Sequence, residues 1–329
     1  MSIRPIKLPQ DLIKIAEIAG ETWNYHENPE WNVQPDEEES LADSVKNYQK
    51  IWPFIRLIQF FSPALRDFMH GHVWEENGQI AGFTQLNRRG TTDTWYISAV
   101  GVHPDFRRRG IARQLVEAAI QLVRDRGGKR LLLDVIEGNV PAINLYTKLG
   151  FENFTSNFEL EFEPTETTPA PTLPTGYTQE ATDDYAWEAR FALMNRITPE
   201  TISAYEPVEE GRFKRPFFVR LLFPLLKRAE GIQMARYLIH TADGKTVAYA
   251  LFDTRIRETG RNSMLINLDP SYAELARYLV KYNLHQITSI DPTRKIEIEL
   301  PIWQESVIEA AKESGFEVRV KLLTLGLLL

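Results

Sequence analysis

The stretch VHPDFRRRGIARQLVEAAIQLV, residues 102–123, runs from an apolar segment through three arginines and a glycine into an amphipathic helix. Its apolar residues recur every three or four positions, which is typical of a helix with one buried face. The first turn of a helix offers unpaired N–H groups and the positive end of the helix dipole, and glycine lets a ligand approach closely. The stretch predicts a seat for phosphate or pyrophosphate, although a plain helix start with surface arginines has the same pattern.

The segments around this stretch alternate between strand and helix patterns. A strand is predicted at 93–104, a buried strand RLLLDVI follows at 130–136, and a short helix at 140–150 ends at Gly150. Upstream, Asn77-Gly78 between two strand-like runs is typical of a hairpin turn. These patterns predict an α/β (α+β) fold in which a mixed, largely antiparallel sheet is flanked by helices.

The same arrangement occurs twice in the chain, because landmark glycines and prolines recur at a nearly constant offset. The pairs, separated by 166, 166 and 165 residues, are Gly78 and Gly244, Pro104 and Pro270, and Gly150 and Gly315. Such a shared offset indicates two tandem copies of one fold. The segment 163–176 has four prolines, five threonines and almost no apolar content, so it is expected to be a semi-extended linker outside any core. We therefore predict a first domain at 1–162 and a second domain at 177–329.

Composition excludes several kinds of protein. The 329 residues carry a net charge of -7, which disfavours a nucleic-acid partner and is compatible with a cationic or amine substrate. The chain has no cysteine, which excludes disulfides, thiolate metal sites and a cysteine nucleophile. No run approaches the ~18 apolar residues of a membrane helix, so we expect a cytoplasmic protein with no membrane partner. His70 and His72 lack a third ligand, so no metal is expected.

Two motifs in the first half resemble the GNAT superfamily of N-acetyltransferases. The first is a strand ending in V-x-P, here residues 102–104, followed by R/Q-x-x-G-x-G/A, here residues 107–112. The second is N-x-x-A-x-x-L-Y-x-x-L-G-F, here residues 139–151. The resemblance is clear over residues 71–162 and implies an N-acetyltransferase that uses acetyl-CoA as its cosubstrate.

The resemblance also implies where acetyl-CoA lies. Its pantetheine arm would pair with the strand ending at Val102, opposite strand 131–136, and its pyrophosphate would lie on the amides of residues 108–113. Asn139 would contact CoA, although asparagine before Val140-Pro141 is also typical of a helix N-cap. The implied cofactor-binding residues are Val100, Val102, Arg107, Arg108, Arg109, Gly110, Ile111, Ala112, Arg113 and Asn139.

Acetyl transfer to an amine needs an acid for the departing thiolate, a base for the amine and a donor to the carbonyl oxygen. The resemblance implies that Tyr146 is the acid, whereas its position on an apolar helix face is also explained by packing. Asp134, which interrupts an apolar strand, is the candidate base because burial can raise the pKa of a carboxyl group. Glu21, Glu137 or a water chain are alternatives, and Asp134 is equally well a hydrogen-bonded structural carboxylate. The backbone N–H near Val100 is the expected oxyanion donor.

The second copy lacks the residues that carry this chemistry. Applying the two offsets places Ala273, Ala276, Tyr278 and Ala311 at the positions of Arg107, Gly110, Ala112 and Tyr146. We therefore expect this degenerate copy to bind no CoA, and to act as a scaffold or to complete the acceptor pocket. The apolar segment 51–69 is expected to line that pocket or to pack the two copies together.

Three functions are open at this point. The resemblance favours an acetyl-CoA-dependent N-acetyltransferase that transfers the acetyl group directly, since no cysteine can carry it. A non-catalytic CoA-binding sensor or regulatory module, and a structural tandem that binds neither ligand, are the rivals. The partner of the enzyme would be a small-molecule or peptide amine. The chain would be a monomer with an internal pseudo-dimer, or a homodimer.

Overall fold

The structure, a computed structural model, describes most of the chain. The described residues are 2–23, 25, 28–32, 34–37, 39, 45, 52, 69–183, 186–214, 231–256 and 259–329. Residue 51 and residues 53–68 of the apolar segment predicted at 51–69 lie outside them. The chain divides into two compact units, one of Met1–Phe154 with Leu323–Leu329 and one of Thr155–Leu322.

The first unit is a mixed sheet with helices against it. Its main elements are β1 (Ser2–Pro5), α1 (Leu12–Thr22), β2 (His70–Glu76), β3 (Gln79–Arg88), β4 (Thr94–Val102), α2 (Ile111–Asp125), β5 (Arg130–Ile136), α3 (Val140–Lys148) and the end of β12 (Glu317–Leu328). The strands lie in the order β1-β2-β3-β4-β5-β12. Neighbours from β1 to β4 are antiparallel, and β4 and β5 are parallel. The predicted turn between β2 and β3 is confirmed, with both Asn77 and Gly78 at positive φ.

Helix α2 builds much of the core of this unit. Its buried apolar positions are Ile111, Leu115, Val116, Ala119, Ile120 and Val123. The last four pack with side chains of β4 and β5 such as Trp95 and Leu131, and the first two pack with Val102 at the end of β4. A Cβ atom at Gly82 of β3 would lie 2.9 Å from the carbonyl oxygen of Gly101 and 3.2 Å from Leu115, so glycine is needed for this close approach. The packing fixes the start of α2 beside the end of β4.

The second unit repeats this architecture. Its main elements are β6 (Glu152–Phe162), β7 (Tyr177–Thr182), α4 (Trp187–Ile197), α5 (Glu200–Ser203), α6 (Glu210–Phe213), β8 (Ile232–Thr241), β9 (Thr246–Arg255), β10 (Asn262–Leu268), α7 (Ala276–Thr288), β11 (Ile296–Pro301), α8 (Glu305–Glu313) and the start of β12. The strands lie in the order β6-β11-β10-β9-β8-β7. β10 and β11 are parallel, and the pairs β6-β11, β9-β10, β8-β9 and β7-β8 are antiparallel. The predicted fold class, a mixed and largely antiparallel sheet in each half, is confirmed.

The final strand of each predicted copy belongs to the other compact unit. Residues 155–162 of β6 belong to the second unit, where β6 pairs with β11. Leu323, Leu325 and Leu327 of β12 pack in the core of the first unit with Leu131 and Leu133. The two compact units are defined by contacts in the folded chain. The domain boundaries at 162 and 177 instead separate the two sequence copies, and they stay a prediction.

The predicted linker contains no helix or strand but is held within the second unit. The backbone N–H of Thr168 donates to Thr288 Oγ1 at 2.9 Å, and the carbonyl oxygen of Thr168 lies 2.8 Å from His285 Nδ1. Leu173 packs against the core of this unit. The expectation that the segment stays outside any core is wrong at Leu173, because one leucine between prolines suffices to anchor it. None of the described helices is both long and apolar enough to cross a membrane.

Candidate active site

Strands β4 and β5 diverge at the centre of the first unit. They pair from Thr94 and Arg130 to Ile97 and Leu133, yet β4 continues to Val102 and β5 to Ile136. The backbone N–H of His103 donates to Ala81 of β3 at 2.9 Å. Because N–H and C=O groups alternate in direction along a strand, those of Val102 and Val100 face away from β3, toward the divergence. The N–H and C=O groups of Val100 and the N–H of Val102 therefore face the divergence at the two predicted backbone positions.

The loop after β4 has the backbone of an anion-binding nest. Arg108 has φ 66° and Gly110 has φ 75°, so left-handed residues recur at alternate positions just before α2. Helix α2 begins at Ile111 with no acidic residue in its first turn and no side chain capping it. The first amides of a helix have no intrahelical acceptor, so those of Ile111, Ala112 and Arg113 can donate to an anion. CoA binding at these residues stays a prediction.

Arg107 supports the site through its side chain. Its Nε atom donates to the carbonyl oxygen of Val102 at 3.2 Å, and its Nη2 atom donates to that of Thr22 at 2.9 Å. Thr22 Oγ1 also donates to Val102 at 3.3 Å. Arg107 thus joins the end of α1 to the end of β4, a role that the sequence did not suggest.

The other arginines of the loop differ in their contacts. Arg109 donates to the Asp105 carbonyl oxygen at 3.3 Å and lies 3.6 Å from a Glu76 carboxylate oxygen, and Arg113 pairs with Glu117 at 2.8 Å. Arg108 is exposed, and within the described part of the chain its guanidinium has no hydrogen-bond or ion-pair partner. Arg108 is therefore the arginine of this loop whose charge is available to a phosphate.

Tyr146 is buried in the core that α2 and β5 form. Its side chain is 8% exposed, and its ring meets Phe151 edge to face with centroids 5.9 Å apart. Burial raises the pKa of Tyr146 well above its ordinary value. The phenol therefore stays protonated at neutral pH and can donate a proton or a hydrogen bond. The packing interpretation is confirmed, and the role as general acid stays a prediction.

Asp134 lies on the opposite face of β5 from Leu133 and Val135, which share the core of Tyr146. Tyr96 donates to Asp134 Oδ2 at 2.5 Å, and the Arg89 guanidinium lies 4.3 Å from the centre of the Tyr96 ring. The structure thus gives Asp134 the hydrogen bond of a structural carboxylate and does not bring it into the core around Tyr146. Its role as base stays a prediction.

The alternative bases are nearer to solvent. His103 Nδ1 accepts from the Asp105 N–H at 3.2 Å, so its Nε2 carries the proton that faces Glu21 Oε2 at 2.7 Å. The Glu21 side chain is 54% exposed. Glu137 is exposed directly after β5.

Asn139 confirms the predicted N-cap and brings an unpredicted tyrosine to the site. Its Oδ1 atom accepts from the Ala142 N–H at 3.3 Å, and its Nδ2 atom donates to the Tyr25 hydroxyl at 3.4 Å. Tyr25 lies in the polar stretch WNYHENPEW, in which only Tyr25 and two tryptophans are large apolar or aromatic residues. That isolation was the available signal that the tyrosine has a partner elsewhere.

Comparison with known proteins identifies the domain around this site. Residues 27–151 match the model of the acetyltransferase (GNAT) family. The chain therefore carries a GNAT-family domain. Over 75 residues, 23% of the chain, it is 35% identical to streptothricin acetyltransferase of Streptomyces lavendulae, and the match spans 40% of that protein. Over 88 residues, 25% of the chain, it is 40% identical to mycothiol acetyltransferase of Thermobifida fusca, and the match spans 27% of that protein. The chain thus spans less than half the length of both relatives.

The fold likeness extends beyond the matched GNAT domain. A tandem GNAT protein from the clavulanic acid biosynthesis pathway, solved without acetyl-CoA, superposes with a TM-score of 0.61 at 15% identity. The match covers 99% of this chain and 98% of that one. Identity this low shows a shared fold alone. It agrees with the tandem organisation inferred from the sequence offsets.

In the second unit, a side chain of that unit occupies the corresponding strand divergence. Strands β10 and β11 pair only from Asn262 and Ile296 to Met264 and Ile298, so they diverge as β4 and β5 do. The Gln304 side chain enters this divergence: its Nε2 donates to the Leu268 carbonyl oxygen at 2.9 Å, and its Oε1 accepts from the Leu268 N–H at 3.4 Å.

The loop after β10 also differs from the loop after β4. A 3-10 helix, Pro270–Leu275, leads directly into α7, and none of its residues has positive φ. Tyr278, at the position of Ala112, is buried and donates to Gln179 Oε1 at 2.7 Å. The second unit therefore lacks the alternating left-handed residues that shape the first loop.

Proposed function

We propose that this protein is an acetyl-CoA-dependent N-acetyltransferase whose cofactor site lies in the first unit. The divergence of β4 and β5 beside the left-handed loop carries the proposal. An extended ligand with amides at one end and phosphates at the other needs a strand edge next to an anion seat. Val100 and Val102 supply the edge, and residues 108–113 supply the seat.

The charges around the loop support binding of the acetyl-CoA phosphates. The Arg108 guanidinium adds a positive charge at the loop, and no carboxylate lies in the first turn of α2. Bound acetyl-CoA supplies a thioester carbonyl that is activated toward amines. The chain's residues hold it, exclude water from the core around Tyr146 and move protons.

The proposed reaction is a direct transfer. A neutral amine attacks the thioester carbonyl, the Val100 N–H stabilises the oxyanion, and the Tyr146 phenol gives its proton to the departing sulfur. The amine loses its proton to Asp134, to Glu21 or to water. No cysteine is present to carry an acetyl group between two half-reactions.

The acceptor in this proposal is a small-molecule or peptide amine, and the place of action is the cytoplasm. Two relatives are named for streptothricin and mycothiol, which are chemically different, so the acceptor is left as a class. The net charge of -7 favours a cationic acceptor over a polyanion.

The test is thiol release from acetyl-CoA by the purified full chain. The amine panel contains a diamine, an aminoglycoside, an amino sugar, an amino acid and a peptide with a free N-terminus. We expect release above the amine-free rate with at least one class. Acetyl-CoA binding by calorimetry without release from any class would favour a CoA-binding sensor instead, and absence of binding would contradict both functions.

A further inference from the structure

A tyrosine–aspartate pair lies on the face of the first unit's sheet that is opposite the core around Tyr146. The residues that flank Tyr96 on β4 and Asp134 on β5 pack in that core. Since side chains alternate along a strand, Tyr96 and Asp134 both project from the other face. The Tyr96 hydroxyl donates to Asp134 Oδ2 at 2.5 Å, a length typical of a hydrogen bond to an ionised carboxylate. This direct bond fixes the Asp134 side chain against β4.

Asp134 lies where β4 and β5 stop pairing. The last register pair joins Ile97 to Leu133, so Asp134 is the first residue of β5 beyond it. The corresponding residue of β4 is Ser98, the extra residue of a β-bulge, because its two neighbours pair with consecutive residues of β3. Ser98 is exposed, so solvent reaches this part of the strand. The Asp134 carboxylate is therefore fixed at the narrow end of the divergence.

Asp134 and Tyr146 lie on opposite faces of β5, because Tyr146 packs on the core face and Asp134 projects from the other. The Val100 N–H, which is proposed to bind the carbonyl oxygen, points within the plane of the sheet toward the divergence. A thioester carbon held there would have Tyr146 on one side and Asp134 on the other. The attacking nitrogen and the departing sulfur occupy different positions on that carbon, so a base and an acid on different faces match the reaction.

The two alternative carboxylates are placed differently. Glu21 Oε2 lies 2.7 Å from His103 Nε2, and the Glu21 side chain is 54% exposed. Glu137 follows the end of β5 and is exposed. Asp134 is half-buried within β5, next to its last pair with β4. Of the three carboxylates, Asp134 is the one at the narrow end of the divergence.

The Tyr96 hydroxyl gives Asp134 the partner that a base in this place needs. A half-buried carboxyl group tends to keep its proton, whereas a hydrogen-bond donor stabilises the ionised form that can accept one. The Tyr96 ring is in turn covered by the Arg89 guanidinium, whose central carbon lies 4.3 Å from the ring centre. The tyrosine is thus held by a contact that does not use its hydroxyl.

We propose that Tyr96 is a positioning residue that holds Asp134 as the proton acceptor for the amine, an inference that rests on the proposed function. The amine lone pair forms the bond to the thioester carbon, and the C–S bond breaks with its electron pair on sulfur. The sulfur takes the Tyr146 proton, and the positively charged nitrogen gives its proton to Asp134. Asp134 then releases that proton to solvent and Tyr146 regains one from solvent, so both residues return to their starting states.

The first test is Tyr96→Phe in the full chain, which keeps the ring beneath Arg89 and removes only the hydroxyl. With the amine that gives the fastest thiol release, we expect kcat to fall about tenfold, as for the loss of a hydrogen bond to a charged group. The calorimetric affinity for acetyl-CoA should stay within about twofold. Tyr177→Phe is the matched control, because it removes a phenol that donates to Glu274 in the second unit. An unchanged kcat in Tyr96→Phe would contradict the proposal.

A double-mutant cycle shows whether Tyr96 acts through Asp134. Asp134→Asn alone should lower kcat about 10²-fold or more, as for a lost general base. Adding Tyr96→Phe to that variant should change kcat by less than about twofold, because the carboxylate that Tyr96 positions is already gone. A further tenfold loss in the double variant would show that Tyr96 acts independently of Asp134 and would overturn the proposal.

A third readout needs no substrate and separates this proposal from the proposed function. The ionisation of a difluorotyrosine placed at position 96 can be followed by fluorine NMR in the full chain. We expect Asp134→Asn to lower the pKa of this phenol, because the phenol loses a charged acceptor. Asp125→Asn is the control, since that exposed carboxylate at the end of α2 accepts from Gln121 instead. The same pKa with and without the Asp134 carboxylate would overturn the proposal whatever the activity, whereas absence of thiol release with every amine would overturn the proposed function.

Discussion

Each unit has one strand divergence, which forms where two parallel strands stop pairing before they end. The two divergences differ in the groups that lie in them. In the first unit, the backbone of Val100 and Val102 borders the opening between β4 and β5. In the second, the Gln304 amide bonds both the N–H and the C=O of Leu268, the residue that corresponds to Val102. A side-chain amide thus stands where the first unit is proposed to hold an amide of pantetheine. The comparison shows that one side chain can bridge this strand divergence without loss of the sheet.

The residues that precede the two corresponding helices differ by one methylene group. Asn139 and Gln304 occupy corresponding positions before α3 and α8, at the offset of 165 residues. The shorter asparagine bonds its own helix and Tyr25, and the longer glutamine reaches across to β10. The loops after β4 and β10 change in parallel, from alternating left-handed residues to a 3-10 helix.

The largest effect is expected at the left-handed glycine of the first loop. Gly110→Tyr, which gives this loop the bulk that Tyr278 has in the second unit, should abolish acetyl-CoA binding by filling the seat. Calorimetry measures the loss. Gly127→Tyr is the matched control, since Gly127 at the other end of α2 has φ +70° and equally open space. Both variants share a backbone strain of about 1–2 kcal/mol, so unchanged affinity in Gly110→Tyr would remove the loop from the site.

Substitution of Tyr146 tests whether the first unit catalyses acetyl transfer as well as binding acetyl-CoA. Tyr146→Phe keeps the contact with Phe151 and removes the proton, so acetyl-CoA affinity should hold while kcat falls about 10²-fold or more. Steady-state kinetics on an amine from the panel measures both values. A normal kcat, with chemistry shown to limit the rate, would leave Tyr146 with packing alone.

A smaller effect is expected at Arg108, the arginine of the loop after β4 that has no partner among the described residues. Arg108→Gln should weaken acetyl-CoA binding about tenfold at low salt, because it removes a charge available to phosphate. The difference should shrink at high ionic strength, where exposed charges are screened. Arg124→Gln, an exposed arginine in the last turn of α2, is the control. Equal affinities for the two variants would place the phosphates elsewhere.

The smallest effect is expected at Gln304, whose side chain lies in the divergence between β10 and β11. Gln304→Ala leaves the buried N–H and C=O of Leu268 without their partner, which should lower the free energy of unfolding by about 1–3 kcal/mol. Urea titration measures this loss against Gln121→Ala, a change on the exposed side of α2. Acetyl-CoA stoichiometry should not change, because Ala276 and Tyr278 still replace the glycine loop. A gained second site would show that Gln304 alone closes the second unit.

Many of the turns and helix ends could be predicted because they depend on local sequence patterns. The turn at Asn77-Gly78, the start of α2 and the N-cap at Asn139 follow from backbone preferences that act over a few residues. The tandem repeat was visible because both copies keep the same landmark spacing.

What the sequence could not supply depends on contacts between distant residues. The final strand of the first copy mixes polar and apolar residues, and that of the second copy is mostly apolar. Nothing in either pattern indicates which sheet the strand joins. The sequence predicts that Arg107 contributes to phosphate binding. Its hydrogen bonds to the Val102 and Thr22 carbonyl oxygens can be seen only in the folded chain. The approach of Tyr25 to Asn139 joins residues 114 positions apart, which no local pattern encodes.

The stoichiometry of acetyl-CoA binding tests the central claim most directly. The claim is that the first unit holds an open site and the second unit a closed one. Calorimetric titration of the full chain should give one site per chain, and Gly110→Tyr should abolish it. Two sites per chain, or one site that persists in Gly110→Tyr, would contradict the account.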